Sequence, residues 1–600
     1  MDKIAVLDFG GQYAHLIGNR IRRLGVYTEI LDPRVGLEEL KQYKGIILSG
    51  GPASVKADDS LRCDEGLFEL GIPILAICYG HQLLADCLGG KVEKGQVREY
   101  GSAELNFAET PSIFEGMNEV EPVWMSHFDQ VTGAPEGFKL VASTKDCPIA
   151  AMLNEEKKMY SIQFHPEVTH TTNGMKVLEN FVEVTEASRE WDIDNYVEDI
   201  VADIQKRVGD KKVFLMISGG VDSTVAFLLL SKALGPDRVY GLFVDTGFMR
   251  KNEREEVETA LQEVGVENLH VYDASKEYFE ALDGVYGPEK KRIIIGNLFL
   301  DIQSKVSDDL NLNPEEWFLA QGTIYPDTIE TGGSSHSHTI KTHHNQVERI
   351  IKMKEEGKVI EPLDHLYKDE VRMVGQKLGL NEKMVWRHPF PGPGLAVRML
   401  CSEGSDSFEG LTELEAEINK VVEEDGLQAR VLPIKSVGVQ GDERTYRHPV
   451  LLYGKRPSWD RLDSLGTQLI NQFPEINRAV YAVSPYAGAD LSVLTEHMTR
   501  QRTLVIQNAD KEVMDFISSE KIDGDIWQFP TVMIPLSSNA SKDECIVLRP
   551  VCSTEAMTAS FYRMEFERLD RLSAKLLEVE GVCEVFYDIT NKPPGTIEWE

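Results

Sequence analysis

Two strand–turn–helix transitions that carry reactive side chains constrain the fold of this 600-residue chain more than any other feature. In the first, the apolar run 72–77 meets a helical pattern at residues 79–85, so that Cys78 falls on the turn. In the second, the apolar run 213–217 leads into residues 218–224, directly before another helical pattern. Such transitions are typical of α/β domains, in which parallel strands present side chains at their carboxyl ends. The sequence therefore predicts a multidomain α/β protein.

Cys78 is predicted to lie on a nucleophile elbow. At such a turn the thiol faces a helix N-terminus, which favours the thiolate. Residues 160–165 resemble another strand, and Glu167 would point the same way as His165 if the extended chain continued. These residues predict a nucleophile, Cys78, a base, His165, and an orienting carboxylate, Glu167. Singly, each is more often structural, since a lone cysteine is commonly a small buried hydrophobe, but the combination and its order favour catalysis.

A Gly-Gly turn supplies candidate donors for the oxyanion of an acyl-transfer reaction. The apolar run 46–48 ends at Ser49, Gly50, Gly51 and Pro52, whose backbone N–H groups can face a ligand without obstruction by side chains. An ordinary strand-to-loop turn would explain the same glycines.

Residues 1 to about 185 resemble the class I glutamine amidotransferases. The motifs that carry the resemblance are residues 49–52, 78–82 and 165–167. The resemblance implies that Cys78 forms a glutamyl thioester and that Gln82 helps to hold the glutamine. The residues that it implies around the oxyanion are Gly50, Gly51 and Tyr79. Phe128 departs from the family, which usually has glycine there, and this leaves the shape of the loop at 126–129 open.

The second transition has the composition of an anion-binding turn. A glycine-rich turn before a helix N-terminus presents several N–H donors, and phosphate is their natural guest. The run lacks the Gly-Lys-Ser/Thr of a Walker loop, whereas Asp222 offers a carboxylate suited to Mg²⁺. A tight strand-to-helix connection would explain the glycines but not the polar side chains together. The predicted ATP-binding residues of this turn are Ser218, Gly219, Gly220, Val221, Asp222, Ser223 and Thr224.

The same turn resembles the pyrophosphate loop of the N-type ATP pyrophosphatases. The resemblance implies cleavage of ATP to AMP and pyrophosphate, which activates a carbonyl oxygen as an adenylate. It also implies that Asp245, at the end of the next apolar run, lies beside the adenosine. Mg²⁺ bound with ATP is the only cofactor expected, with Asp222 as its ligand.

Beyond residue 285 the chain resembles the glutamine-hydrolysing GMP synthetases, and with the two earlier resemblances this covers nearly its whole length. The segments that carry this resemblance are 291–296, 320–327, 340–345, 387–395 and 592–600. It implies amination of xanthosine 5′-monophosphate (XMP) through an adenyl-XMP intermediate, with ammonia taken from glutamine. The products would be GMP, AMP, pyrophosphate and glutamate. The residues expected to contact XMP are Arg292, Arg444, Gln528, Lys592 and Glu598.

Three basic residues near position 342 are interpreted as a mobile lid over phosphates: Lys341, His343 and His344. Adjacent histidines lack the spacing of a zinc site, and a solvated loop remains the alternative. Two other functions also remain open at this stage. The chain could be a different glutamine-dependent ligase that cleaves ATP to AMP and pyrophosphate, or a non-catalytic nucleotide-binding scaffold.

A weak internal repeat lies in the last third of the chain, where residues 478–484 resemble 584–590. Shorter members of the family have one copy and dimerise through it, so the duplicated chain is expected to be a monomer or a homodimer. The predicted domains are an amidotransferase at 1–187, an ATP pyrophosphatase of the adenine-nucleotide α-hydrolase-like type at 188–400, and a C-terminal α+β domain at 401–600, with copies at about 401–500 and 501–600.

The formal charge of −35 narrows the expected partners. Such a surface repels nucleic acid and anionic membranes, so small molecules, namely glutamine, ATP and XMP, are expected instead. The eight cysteines show no metal or disulfide spacing, which suits a reducing compartment. With no leader and no apolar run long enough to cross a bilayer, a cytoplasmic location is expected.

Overall fold

The computed structural model describes residues 1–600 except 12, 58–59, 267, 310–314, 328–355, 405, 441–442, 484–485, 487 and 554–558. The chain forms two compact units. The first contains Met1–Asp203 and Leu363–Val374, with the described part of Thr323–Thr342. The second contains Ile204–Gly322 and Gly375–Glu600, with the described part of His343–Pro362.

The α-helices of the described residues are α1 Ala14–Arg23, α2 Leu37–Leu40, α3 Tyr79–Cys87, α4 Gly174–Thr185, α5 Ile193–Val208, α6 Val221–Leu234, α7 Glu253–Glu263, α8 Ser275–Ala281, α9 Pro288–Asp309, α10 Lys368–Lys377, α11 Glu382–Val385, α12 Leu411–Val422, α13 Trp459–Gln472, α14 Arg500–Ser519 and α15 Phe566–Leu577. Short 3₁₀ helices lie at Glu65–Glu69, Ser112–Phe114, Pro236–Arg238, Gly394–Arg398, Glu423–Asp425 and Asp523–Asp525. Over the described ranges, no helix combines the length and the apolar composition needed to span a membrane.

The first unit is built on a nine-stranded mixed sheet with the strand order β2-β1-β3-β4-β9-β8-β7-β5-β6. Its strands are β1 Lys3–Leu7, β2 Tyr27–Leu31, β3 Gly45–Leu48, β4 Ile74–Ile77, β5 Lys91–Phe107, β6 Val120–Gly133, β7 Lys139–Ser143, β8 Ala151–Asn154 and β9 Met159–Ile162. The five strands from β2 to β9 run parallel, and the remaining neighbours are antiparallel. The carboxyl ends of β3, β4 and β9 therefore meet at one edge.

Both faces of this sheet are covered by apolar side chains. Ile4 and Val6 of β1 belong to one hydrophobic cluster, whereas Ala5 and Leu7 belong to another. Because successive residues of a strand face opposite sides, a separate core lies on each face. This explains why these strands are continuous apolar runs, as is typical of parallel sheets.

Arg22 holds the two later segments of the chain onto the first unit. Its guanidinium is only 1% exposed and pairs with Glu370 at 3.1 Å. Four aromatic rings surround it, with centroids 4.5–5.2 Å from its Cζ atom: Tyr27, Trp191, Tyr325 and Tyr367. The enclosure of a cation by ring faces is stabilising when the cation is shielded from water. This cluster explains why residues 363–374 belong with the first unit.

The first sheet of the second unit is fully parallel, with the strand order β12-β11-β10-β13-β14. Its strands are β10 Lys212–Ile217, β11 Val239–Asp245, β12 Leu269–Asp273, β13 Trp317–Ala320 and β14 Val359–Ile360. From the central β10 the chain moves outward to β11 and β12, and later returns on the other side of β10. Such a reversal opens a crevice at the carboxyl ends of the strands, where ligands bind in open α/β sheets.

The second sheet of this unit has seven strands, with the order β15-β17-β18-β25-β22-β20 and β16 paired with β17. The remaining strands of the unit are β15 Leu427–Val431, β16 Ser436–Gln440, β17 Glu443–Gly454, β18 Ile476–Ala482, β19 Ser492–Val493, β20 Thr531–Ile534, β21 Leu536–Ser537, β22 Glu544–Leu548, β23 Val551–Cys552, β24 Ser560–Phe561 and β25 Val582–Asp588.

This sheet contains the same arrangement of elements twice. The first set is α12, β15, β17, α13 and β18, and the second is α14, β20, β22, α15 and β25. Each set ends in a parallel pair, β17 with β18 and β22 with β25. The two sets join where β18 runs antiparallel to β25. The similar segments 478–484 and 584–590 thus begin on neighbouring strands.

Candidate active sites

Cys78 occupies a strained turn between β4 and α3. Its backbone has φ 53° and ψ −103°, in a region that residues with a side chain rarely adopt. The turn is fixed to the end of β9, because the Cys78 N–H donates to Ile162 O at 2.8 Å. The predicted turn between a strand and a helix is confirmed, with β4 ending at Ile77 and α3 beginning at Tyr79. This geometry places the Cys78 thiol and the first turn of α3 at the edge of the sheet where β3, β4 and β9 end.

His165 and Glu167 lie on a bend after β9, so the prediction of an extended chain through His165 is wrong. The strand ends at Ile162, and the His165 N–H donates to Trp124 O at 3.0 Å instead of continuing the ladder. Pro166, which has no N–H, also favours a turn at this point. The bend still brings His165 Nδ1 to 2.7 Å from Glu167 Oε1.

The Glu167 carboxylate and Cys78 determine the charge of His165. Burial by itself lowers the pKa of this imidazole, but the negative charges of Glu167 and Cys78, with hydrogen bonds to both, raise the pKa well above its ordinary value. The side chains of His165 and Glu167 are 4% and 0% exposed. Such a buried arrangement favours the protonated imidazolium of His165 beside the Cys78 sulfur.

Gly50 and Gly51 bring the end of β3 close to this cluster. A Cβ atom at Gly50 would lie 3.3 Å from His165 Cε1 and 3.7 Å from Cys78 Cβ. At Gly51 it would lie 2.8 Å from Phe9 O and 3.1 Å from Tyr79 Cγ. Glycine therefore permits this close approach of the two backbones and side chains.

The Cys78 thiol opens onto a pocket of about 460 Å³. Its wall includes Gly50, Gly51, Tyr79, Gln82, Ser126, His127, Phe128, Asp129 and His165. Gln82 is buried, and its Nε2 atom donates to Asp129 O at 2.7 Å. Phe128, the departure from the family noted above, contributes to this wall. The pocket thus joins a nucleophile to a cavity lined by polar and aromatic groups, as small-molecule sites commonly do.

The second candidate site lies at the end of β10, where residues 218–220 turn into α6. Gly219 has φ 79°, a conformation that favours glycine. The turn is braced by its own hydroxyls, because Ser223 Oγ accepts from Ser218 N at 3.2 Å and Thr224 Oγ1 donates to Gly220 O at 2.9 Å. The N-terminus of α6 and the carboxylate of Asp222 in its first turn can bind an anion together with a cation.

Neighbouring segments hold this turn from several sides. Arg387 Nη1 donates to Gly219 O at 2.6 Å, and its Nη2 atom pairs with the buried Glu253. A Cβ atom at Gly322 would lie 3.0 Å from both N and Cα of Ser223. Asp245, at the end of the adjacent β11, accepts from Gly247 N at 2.9 Å. Sequence reasoning assigned no role to Arg387 or Glu253, which approach from distant parts of the chain.

Two arginines predicted to contact XMP share one carboxylate. Arg292 lies on α9, and its Nη1 atom is 2.7 Å from Glu289 Oε1. Arg444 is the second residue of β17 and pairs with Val439 of β16, and its Nη1 atom is 3.8 Å from the same oxygen. Arg444 remains 52% exposed and Arg292 23%. The structure therefore brings these two cations together at a partly open surface.

Two further predicted residues lie in contact at a different point of the second unit. Gln528 Nε2 is 3.4 Å from Glu598 Oε1 and donates to Pro389 O at 3.0 Å. Lys592 pairs through its backbone with Ala559, in both directions, at 2.7 and 3.0 Å. Lys341, His343 and His344, the predicted lid, lie outside the described residues.

Three arginines that sequence reasoning missed fix the last residues of the chain. Arg398, Arg478 and Arg549 are fully buried. Arg398 Nη2 is 3.0 Å from Glu598 Oε1, and Nη2 of Arg478 donates to Glu598 O at 3.1 Å. The Nε atom of Arg549 donates to Thr596 O at 3.1 Å. A terminus that usually frays is here an ordered part of the second unit.

The end of this tail also reaches α9. Lys291 Nζ, which is 0% exposed, pairs with the Glu600 carboxylate and donates to Met399 O at 2.9 Å. Lys291 lies next to Arg292 near the N-terminus of α9. The tail therefore contacts Gln528 through Glu598 and the start of α9 through Glu600. An arginine or lysine within an apolar strand or helix pattern was the one sequence signal that could have revealed these contacts.

Three family models match successive parts of the chain. The model described as glutamine amidotransferase class-I matches residues 5–184. The model described as NAD synthase matches residues 193–306. The model described as GMP synthase C terminal domain matches residues 515–599.

Curated proteins resemble the chain over its full length. A Leptospira interrogans protein named probable GMP synthase (glutamine-hydrolyzing) is 46% identical over 608 residues, covering 100% of this chain and 99% of that protein. A protein of Aquifex aeolicus named GMP synthase (glutamine-hydrolyzing) is 43% identical over 608 residues, with the same coverage. A Lactobacillus gasseri protein of that name is 44% identical over 507 residues, covering 80% of this chain and 96% of that protein.

Proposed function

Since the chain belongs to the glutamine-hydrolysing GMP synthase family, we propose that it forms GMP by ATP-dependent amination of XMP with ammonia released from glutamine. The observation that carries this proposal is the presence, on one chain, of the Cys78–His165–Glu167 cluster and of a glycine-rich turn before α6. The first suits release of ammonia from an amide, and the second suits binding of a pyrophosphate. Release of ammonia does not need ATP, and pyrophosphate binding does not need glutamine, so their presence on one chain supports a combined reaction.

In the amidotransferase half, Cys78 is the nucleophile. Its thiolate would attack the carbonyl carbon of the glutamine side chain, and the N–H groups of Gly51 and Tyr79 would stabilise the oxyanion that forms. His165 gives a proton to the departing ammonia, and Glu167 holds the imidazolium in place. Water then hydrolyses the thioester to glutamate. Gln82 would help to hold the glutamine, and its own side chain is fixed by the hydrogen bond to Asp129 O.

In the synthetase half, the turn at 218–224 binds the ATP phosphates through its N–H groups and hydroxyls. The oxygen donors of Ser218, Asp222 and Ser223 are of the kind that Mg²⁺ prefers, so the residues fit this cation. Asp222 would hold Mg²⁺, which neutralises phosphate charge when bound with ATP. Asp245 lies one strand away and is suited to contact the adenosine. The Arg387–Glu253 pair keeps the turn in position.

We assign XMP binding to Arg292, Arg444, Gln528, Lys592 and Glu598. The shared position of Arg292 and Arg444 at Glu289 supports phosphate binding there, because a nucleotide phosphate can replace that carboxylate as their partner. The Gln528–Glu598 contact supports recognition of the base. Adenylation of O2 of the xanthine then makes AMP the group that ammonia displaces.

The proposed domains remain residues 1–187, 188–400 and 401–600, with the last duplicated at about 401–500 and 501–600. The matched ranges 5–184, 193–306 and 515–599 support this division, as does the repeated order of elements in the seven-stranded sheet. The Lactobacillus gasseri relative leaves about a fifth of this chain unmatched, which agrees with one extra copy. A monomer or a homodimer is expected.

The remaining expectations concern partners and location. A formal charge of −35 supports small-molecule substrates and argues against nucleic acid or an anionic membrane. A cytoplasmic location is proposed because the eight cysteines are all free thiols, which suits a reducing compartment.

The test uses purified full-length protein with XMP, Mg·ATP and either glutamine or ammonium, followed by chromatography of GMP, AMP and glutamate. GMP from both nitrogen sources is expected. Cys78→Ala should abolish glutamine use and spare synthesis from ammonium, whereas Asp222→Ala should abolish both. Cys552→Ser, a cysteine of the second unit, is the control and should change neither.

Two results would contradict this proposal. AMP and glutamate without GMP would mean that another acceptor is aminated, as in the alternative ligase. Loss of both activities in a folded Cys78→Ala variant would mean that the cysteine does not serve glutamine hydrolysis alone.

A further inference from the structure

Two cysteines outside both candidate active sites lie side by side in the seven-stranded sheet. Cys545 belongs to β22 and Cys583 to the parallel neighbour β25, and their Sγ atoms are 3.7 Å apart. The strand register brings them together. Glu544 pairs with Val582 and Cys545 with Glu584, so that Cys583 is the extra residue of a β-bulge. A bulge re-aims a side chain, and here it directs Cys583 towards Cys545.

The two thiols differ in their access to solvent. Cys545 is 0% exposed and belongs to a hydrophobic cluster that includes Phe586 and Trp599. Cys583 is only partly buried and packs at the edge of that cluster. Its Sγ atom is 3.0 Å from Asp543 O. A small solute can therefore reach Cys583 first, with Cys545 directly behind it.

Their acidities differ in the same direction. A hydrogen bond from the Cys545 thiol lowers the pKa of Cys583 to about 7. Burial opposes this effect, and hydrogen bonds from Ser538 add to it. Burial raises the pKa of Cys545 well above its usual value. The more accessible sulfur is thus the more acidic of the two, and it supplies more of the reactive thiolate.

We propose that Cys545 and Cys583 form a dithiol modification site, at which a hydroperoxide converts the two thiols to an intrachain disulfide. The Cys583 thiolate attacks one oxygen of hydrogen peroxide, the O–O bond breaks, and the products are a sulfenic acid and, after protonation, water. Cys545 then attacks the Cys583 sulfur, loses its proton and releases a second water. Two thiols give up two electrons, and one peroxide accepts them.

The geometry allows the second step with little rearrangement. A disulfide needs the sulfurs about 2.05 Å apart, so they must approach by roughly 1.7 Å from 3.7 Å. Side-chain rotation on two adjacent strands can supply such a movement. Adjacent strands also keep the Cα atoms within the range that disulfides span. The site takes no part in the proposed GMP synthesis, which uses Cys78.

Cys552 is the natural comparison within the same unit. It is also partly exposed, but burial raises its pKa above the ordinary 9.0. At pH 7 about half of Cys583 is thiolate, against about 1% or less for Cys552. The weaker nucleophilicity of a low-pKa thiolate offsets part of this advantage. Cys583 should therefore react at least about 5-fold faster than Cys552.

The test treats the full-length protein at pH 7 with hydrogen peroxide, blocks remaining thiols by alkylation, and maps the unreduced peptides by mass spectrometry. A peptide pair joined through Cys545 and Cys583 is expected, and dithiothreitol should separate it. In Cys545→Ser, whose hydroxyl can still donate to Cys583 but cannot form a disulfide, oxidation should stop at a sulfenic acid on Cys583 that dimedone traps. In Cys583→Ser, Cys545 should remain an unmodified thiol.

Cys552→Ser serves as the matched control and should leave the joined peptides unchanged. Three results would overturn the proposal. These are a Cys583 that reacts no faster than Cys552, a dimedone adduct on Cys583 in the wild-type chain with Cys545 still reduced, and a joined pair that forms only after denaturation. Because every readout is a peptide mass, the test is independent of whether the chain makes GMP.

Discussion

The substitution Gly322→Ala tests whether the position of the turn at 218–224 matters for the use of ATP. A Cβ atom there would lie 3.0 Å from N and Cα of Ser223 and 3.3 Å from the carbonyl carbon of Asp222. All three are backbone atoms, so no side-chain rotation relieves the contact. In Gly322→Ala the turn or its neighbour must therefore shift by a few tenths of an ångström.

The expected magnitude follows from the cost of overpacking. Forcing extra carbon into a closely packed site costs about 1–3 kcal/mol, which corresponds to a factor of roughly 5 to 150. The strain falls on the turn whose N–H groups are proposed to hold the ATP phosphates, and small misplacements there are costly for catalysis. The kcat/KM for ATP in ammonium-dependent GMP synthesis should fall about 10- to 100-fold.

The assay measures initial rates of AMP formation with XMP, Mg·ATP and ammonium, beside glutamate release from glutamine as an internal reference. Gly524→Ala is the matched control, because its Cβ atom would meet nothing within 4 Å. Both variants lose the same freedom in the unfolded chain, so that effect cancels between them. If Gly322→Ala keeps kcat/KM for ATP within twofold of Gly524→Ala, the close contact does not position the turn.

Two more predictions concern charged groups. In Glu167→Gln, one of the charges that together outweigh burial around His165 is lost, so the pKa of the imidazole falls and the alkaline limb of glutamate release moves to lower pH; an unmoved limb in the pH–rate profile contradicts this role. In Arg478→Met, the buried Asp588 loses one partner and the tail several donors, which should cost about 3–5 kcal/mol of stability and raise KM for XMP in ammonium-dependent synthesis while glutamine hydrolysis is unchanged. Arg456→Met is the control, since Arg456 pairs with Asp570 and lies over the Phe566 ring, and neither residue belongs to the tail; equal KM values for XMP in the two variants would refute the positioning role.

The parts of the sites that depend on local sequence could be predicted. The turn at Cys78 follows from an apolar run that meets a helical pattern, and the turn at 218–220 follows from its glycines and hydroxyls. In both cases the residues that make the feature are consecutive, so local backbone preferences determine it. The α/β class followed from the same two features and is confirmed by the parallel sheets.

The contacts between distant segments could not be predicted in this way. Arg398, Arg478 and Arg549 converge on the tail from positions that no periodic pattern connects. Their apolar sequence neighbours indicate burial, but not the carboxylate or carbonyl that each arginine contacts. The strand predicted through His165 failed for a related reason. The strand ended because the His165 N–H donates to Trp124 O and because Pro166 follows it. Only the contact with the distant Trp124 is invisible in the local sequence.

Because β18 and β25 join two repeats of one chain, the two strands can carry different residues at matching positions. At matching positions of the similar segments, one repeat has Arg478, which is buried against the tail, and the other has Glu584, which accepts a hydrogen bond from Ser538. In a pair of identical subunits, one residue would have to serve both surroundings. Within one chain each copy can differ, and the tail that follows the second copy relies on an arginine that the first copy has and the second lacks.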